Sequence, residues 1–389
     1  MVEAPSRLNW PASSVYGWGI LGLNIFWRWA VDRGVRPLMG APIGESDLMG
    51  CDPLRIYAAR EAIVASNMFQ HELARTGRRS LGFPVVHGLG NGLIGPESVQ
   101  GSRNVGRCIF EDTRLAGLDD KLAKYDVLLS ASNWNAELLR AHCKKRVEVI
   151  FEGVDPSLFH PAPKAGLLDP SRFYIFSGGK VEYRKGHDLV LLAFREFSRR
   201  HKDAVLVTAW HSPWPHLSIG FQGKLSFPLE LTREGAIDIK TWVTKNGIDP
   251  GKVIDLGQIP NPMMPAVIRE MDCALAVSRA EACTNLPAAE AMACGIPTII
   301  AKNTGVLDLV GDGNCIPLTH QAAIRDFAPS GTDGWGESDV EEIVQALERL
   351  YADRELRDTI GRAGAGWMVK ERRNWAEHAG RLKSLVLSL

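Results

Sequence analysis

Residues 281–297 read EACTNLPAAEAMACGIP and set two carboxylates, Glu281 and Glu290, around a loop that turns into a helix. Just upstream, 273–277 is an apolar run that reads as a buried strand; Ser278 and Arg279 break it, and 286–294 is helix-forming. A strand's carboxyl end therefore feeds a helix's amino end. Such a junction leaves the backbone N–H groups around Thr284, Asn285 and Leu286 unpaired, and the helix dipole adds partial positive charge there. It is a seat for a diphosphate.

A second stretch, 173–197, reads FYIFSGGKVEYRKGHDLVLLAFREF. Its first residues have a strand pattern, Gly178 and Gly179 permit a close backbone turn, and 188–197 has helical spacing. Between them stand Lys180, Arg184 and Lys185. A glycine turn followed by cations suits a nucleotide diphosphate, because ammonium groups neutralise the phosphate as it departs. A basic loop alone is more often a solvated face. Its pairing with the later glutamates makes it a site.

Together the two stretches resemble the retaining glycosyltransferases of the group 1, or GT4, type. That family's signature is two glutamates flanking such a loop, followed by E-A-M-A-C-G-x-P, which residues 290–297 match throughout. Its Gly-Arg, short loop, Lys-Gly pattern has its places taken by Gly179-Lys180 and Lys185-Gly186. Glu281 and Glu290 are nine positions apart, one more than in the commonest form, which reads as a loop variation. Lysine at 180 keeps the charge of the usual arginine and loses its bidentate fork.

The resemblance implies an α/β fold of the GT-B kind, two Rossmann-like doubly wound domains facing across a cleft. It also implies a nucleoside diphosphate sugar as donor and retention at the anomeric carbon. Glu281 would contact the donor sugar's hydroxyls and Glu290 the ribose, while Lys180, Lys185 and the 284–286 backbone would stabilise the departing diphosphate. No metal or other cofactor is expected, since those cations do the neutralising and the chain shows no Asp-x-Asp element. The competing reading is a non-catalytic sugar-nucleotide-binding protein on the same fold.

Length and composition agree with two domains. A chain of 389 residues, 45% hydrophobic and 23% charged, is longer than single cores usually grow. The alternation of strands and helices argues for parallel sheets. Strands are expected at 80–86, 105–110, 127–131 and 147–151, then at 173–177, 205–209, 253–256, 273–277 and 298–300. The proline-rich 152–163, EGVDPSLFHPAP, reads as the linker and resembles the phrase joining the halves in this family. The expected domains are thus 1–160 on the acceptor side and 161–370 on the nucleotide-sugar side, with the last helix, 371–389, returning to the first.

Zero formal net charge gives no whole-molecule attraction to nucleic acid. The apolar 16–30, YGWGILGLNIFWRWA, is too short to span a bilayer and lacks the charged start of a signal peptide. Seven cysteines without metal spacing point to reduced thiols in a cytoplasm. The aromatics Trp18, Phe26, Trp27 and Trp29 suit core packing; the alternatives are an acceptor site or peripheral contact with the membrane's inner face.

The first half offers the acceptor-side candidates. Gly17 and Gly19 precede a helix-like stretch and suit a close approach to donor phosphates; an ordinary turn is the alternative. The strand at 105–110 would deliver Glu111 and Asp112 into the cleft, where many family members place a histidine, and either carboxylate suits orienting an acceptor hydroxyl. His87 is the competing candidate. Ser132 reads as a helix N-cap. Gly257 and Gln258 follow a strand where the family's nucleobase docks. The acceptor itself, whether saccharide, lipid-linked or small molecule, is not legible, because acceptor sites are built from variable loops.

Overall fold

The computed structural model describes residues 4–32, 34–96, 99–115, 117–325 and 330–389. Twelve strands form two six-stranded sheets in which every neighbouring pair is parallel. The first contains β1 (Ala4–Asn9), β2 (Val35–Met39), β3 (Val85–Leu89), β4 (Asn104–Cys108), β5 (Val127–Ser130) and β6 (Val147–Val149), in the order β2-β1-β3-β4-β5-β6. The second contains β7 (Phe173–Gly178), β8 (Ala204–Ala209), β9 (Val253–Asp255), β10 (Cys273–Ala276), β11 (Thr298–Ala301) and β12 (Ile316–Leu318), in the order β12-β11-β10-β7-β8-β9. The doubly wound α/β class expected from the sequence is thus borne out.

Alternation along the strands builds a core on each face of the second sheet. Phe173 and Ile175 pack with Phe194 and Leu347, whereas Tyr174 and Phe176 pack with Ala289 and Met292. In the first sheet Val86, Val105 and Val127 meet Phe26, Trp27 and Trp29 of the Gly17–Ala30 helix. Those aromatics are core residues, the packing alternative of the three left open. The Trp375–Leu387 helix closes the same core: Trp29 Nε1 donates to the Ala379 carbonyl at 3.1 Å, and Lys383 pairs with Asp32 at 2.7 Å.

Three strands of these two sheets escaped the sequence reading, as did a short antiparallel pair, Gln321–Ala323 with Gly336–Ser338, and one strand was misplaced. β1 carries buried Ser6 and Arg7, which blur its apolar alternation, and β2 contains Pro37, tolerated because β2 is an edge strand. β12 is only three residues long. Instead of a strand at 80–86, Ser80 makes an isolated bridge to Gln100 and β3 begins at Val85, after Pro84. No described helix is long and apolar enough to cross a membrane.

Candidate functional site

β7 and β10 lie side by side, although the chain reaches β10 only after running outward through β8 and β9. This reversal opens a crevice at the strands' carboxyl ends, where doubly wound sheets bind ligands. β7 delivers Gly178 and Gly179 to it; β10 delivers Ser278, Arg279 and Glu281. Gly179 has φ +114°, and Gly186 has φ +70° with a Cβ position 2.3 Å from the Val277 carbonyl, so both turns require glycine. They let the 180–185 loop fold back over the end of β10.

Lys185 Nζ reaches both oxygens of Glu281, at 2.7 and 2.9 Å. Arg184 adds a contact at 3.1 Å, the Ser278 hydroxyl donates at 2.6 Å, and Asn285 Nδ2 donates at 2.8 Å. Burial by itself would raise the Glu281 carboxyl, but the charges of Lys185 and Arg184, with hydrogen bonds from Lys185 and Ser278, outweigh it and hold it below the usual carboxylate range. Lys185 and Glu281, both singled out from the sequence, are thus in direct contact. Lys180, by contrast, pairs with Glu182 at 2.6 Å and lies 5.7 Å over the Trp214 ring. Glu182 also holds Arg184 at 2.8 Å, and despite burial those cations bring its carboxyl down to about 2.

Asn285 caps the Leu286–Ala293 helix by accepting from Ala288 N–H at 3.1 Å. Beside it the buried Thr284 hydroxyl has no hydrogen-bond partner among the described residues. An unpaired buried hydroxyl at a helix amino end is ready to meet an anion. Glu290, one helical stretch further, is equally buried but meets a different environment. The Asn261 amide donates to it at 2.5 Å, and burial, only partly opposed by that bond, pushes its carboxyl up to about 8.

Asn261 also connects the halves, since its N–H donates to the Ser14 carbonyl at 2.7 Å. The glycine loop is thereby placed next to Glu290's partner. Gly19 packs against Ser13, where a Cβ would come within 2.5 Å of the serine Cβ, while Gly17 is open. Tyr16 meets Trp214 edge to face with ring centroids 5.2 Å apart. Gly257, at φ +68°, and exposed Gln258 follow β9 on the same side of the sheet.

From the first sheet, Glu111 lies 3.3 Å from Arg184. Asp112 does not face the site in the same way. Its carboxylate accepts from Gly331 N–H at 2.7 Å and from Arg114, while Thr113 and Asp333 exchange hydrogen bonds beside it. It stitches the two halves together. His87 sits in the middle of β3, opposite Asn9 and Gly106 in the neighbouring strands. One ring nitrogen lies 2.9 Å from Asn104 Oδ1, the other 3.5 Å from Asn9 Nδ2, and burial lowers its pKa. A place inside the sheet, rather than at its end, keeps His87 out of the crevice.

Sequence reasoning named Arg184 only as one of the loop cations, missed Glu182 and Asn261, and gave Ser132 half its role. Ser132 is the N-cap expected, accepting from Asn135 N–H, and its hydroxyl also donates to the Ala282 carbonyl in the glutamate loop at 2.6 Å. The linker touches the same loop: Glu152 lies beside the Cys283 thiol, which burial and the Glu152 charge push up, and the Glu152 carboxylate is 3.7 Å from buried Arg107. Underneath, Arg279 and Asp188 form a fully buried pair at 2.6 Å, extended to Glu337 at 2.8 Å. A cleft of about 850 Å³ opens at the opposite, amino ends of the second sheet and holds none of these residues.

Residues 172–353 match the family described as Glycosyl transferases group 1. D-inositol 3-phosphate glycosyltransferase from Segniliparus rotundus is 25% identical over 260 residues, 64% of this chain and 50% of that protein. The match thus spans about half the length of this curated relative. Among solved structures, sucrose-phosphate synthase from Thermosynechococcus elongatus matches over 99% of both chains at 16% identity, with a TM-score of 0.65. HepE from Anabaena in complex with UDP-glucose matches over 99% of this chain and all of its own, at 15% identity and a TM-score of 0.63. The fold is therefore GT-B throughout, and the second half bears out the group 1 resemblance.

Proposed function

We propose that this protein, GT-B in fold and group 1 in its second half, transfers a sugar from a nucleoside diphosphate sugar to an acceptor hydroxyl with retention of configuration. The observation that carries the reading is the Lys185–Glu281 pair, held at 2.7 Å beside the amino end of the 286–293 helix and the Thr284 hydroxyl, which has no partner among the described residues. In this reading Glu281 accepts from the donor sugar's hydroxyls. Lys180, Lys185 and the helix end counter the charge that develops on the diphosphate. Glu290 binds the ribose, and the glycine loop at Gly17 and Gly19 closes over the phosphates. Glu111 orients the acceptor hydroxyl, whose proton passes to the departing phosphate oxygen. The glutamate pair serves binding rather than hydrolysis, so neither carboxylate is a nucleophile.

With cations and a helix dipole as counter-charge, no step of this scheme uses a metal. HepE was solved with UDP-glucose, which makes a uracil nucleotide the first donor class to try. The test is a thermal-shift series with UDP, GDP, ADP and dTDP, with and without EDTA. A ligand at a hundred times its dissociation constant adds about 2.7 kcal/mol to apparent stability. One nucleotide should stabilise the wild type in EDTA and fail to stabilise Lys185→Ala. A stabilisation abolished by EDTA would overturn metal independence; no response to any nucleotide would overturn the reading. The anomeric configuration of a product formed from the matching sugar nucleotide decides retention.

A further inference from the structure

Three cations, Lys180, Arg184 and Lys185, meet three carboxylates, Glu111, Glu182 and Glu281, in one ion-paired cluster. As it stands, the cluster presents no net positive charge to an arriving diphosphate. One carboxylate has to withdraw. Glu281 is held jointly by Lys185, Arg184, Ser278 and Asn285, and Glu182 by Lys180 and Arg184. Glu111 alone comes from the first sheet, and among the described residues its carboxylate has a single ionic partner, Arg184 at 3.3 Å. Its backbone, however, is pinned from both halves. The N–H donates to Asn91 Oδ1 at 2.8 Å, and the carbonyl accepts from Trp335 Nε1 at 3.0 Å. The side chain is therefore free to turn by rotamer change while the backbone stays in place.

We propose that Arg184 is an exchange position: it holds Glu111 while the site is empty and passes to the donor's diphosphate when the site fills, releasing Glu111 toward the acceptor. This rests on the reading of the protein as a nucleotide-sugar-dependent transferase. In the empty site Glu111 stands in for the phosphate as the third carboxylate on a largely buried guanidinium, beside Glu182 and Glu281. It thereby competes with the donor for Arg184. The carboxylate that orients the acceptor hydroxyl becomes available only after the donor has entered, so donor binding precedes acceptor binding. Order of addition follows from a single shared cation.

The test is calorimetric titration of wild type and Glu111→Gln with the nucleoside diphosphate that binds the wild type. Removing the competitor should tighten binding by about two- to fivefold, the span of one partly exposed ion pair. Arg184→Gln completes the cycle, because with the shared cation gone, Glu111→Gln should leave diphosphate affinity unchanged. Equal affinity in wild type and Glu111→Gln overturns the exchange while leaving the transferase reading intact. A gain that persists without Arg184 is a general charge effect and overturns the assignment to Arg184. Failure of UDP, GDP, ADP and dTDP to bind the wild type defeats the transferase reading instead.

Discussion

Glu281 and Glu290 stand at the two ends of one loop and helix, and both are about 95% buried, being 4% and 5% exposed. Their environments drive them in opposite directions. Glu281 has Lys185 and Arg184 against it and is held ionised; Glu290 has an amide from Asn261 and is pushed up to about 8. Burial penalises both charges alike, so the difference comes from the partners. Only one of the two signature glutamates is built as a permanent anion. Burial pushes the other toward its neutral form, in which a carboxyl donates one hydrogen bond as well as accepting.

The largest effect should come from breaking the ionised member's support. Lys185→Ala is expected to lower kcat/KM by about a hundredfold or more, the scale of a lost charge contact in the transition state, with the fold retained. Near-normal turnover would remove Lys185 and Glu281 from the chemistry. Next comes the contrast at Glu290. Glu290→Ala should lose a similar two orders, whereas Glu290→Gln, which imitates the protonated acid, should stay within about threefold of wild type at pH 7. If glutamine is as damaging as alanine, Glu290 works as an anion and the contrast between the two carboxylates disappears once the donor binds.

Thr284→Val tests the ground between them. Nucleotide affinity should fall by about tenfold, the worth of one hydrogen bond to a charged group, without loss of thermal stability, since the deleted hydroxyl has no partner among the described residues. A drop in Tm with unchanged affinity would make Thr284 structural. The smallest effect concerns pH. A carboxyl raised from 4.5 to about 8 by folding favours the folded state fully below pH 4.5, and that contribution is lost as pH rises toward 8. Glu281, whose pKa is lowered, contributes stability that is lost as pH falls. Glu290→Gln should therefore flatten the decline of Tm between about pH 5 and 8.5 and gain a few degrees at its upper end. Identical melting profiles would show that Glu290 is not raised.

Much of the site was legible because its chemistry is local. Gly179, Lys185, Gly186, Glu281, Asn285 and Glu290 lie in two short stretches whose spacing places them at strand ends and at a helix start. Arg184 was visible as a charge, but nothing in its neighbours says that it would face Glu111, which is 73 positions away. Asn261 gives no signal at all. Its importance comes from lying against Glu290 and Ser14 at once, a coincidence of three distant segments. His87 misled because a histidine before glycines resembles a strand end, whereas the strand continues through Gly88 to Leu89.

The sequence by itself determined the two parallel sheets, the glycine turns and the pair of glutamates around a helix start. These follow from periodicity and backbone constraint over a few residues. Only the tertiary structure decided which carboxylate is charged and which cation is shared. Protonation and pairing depend on burial and on distances of about 3 Å between groups from different segments, and those distances exist only after the sheets have packed. Glu111 and Arg184 meet across the two halves of the molecule for that reason.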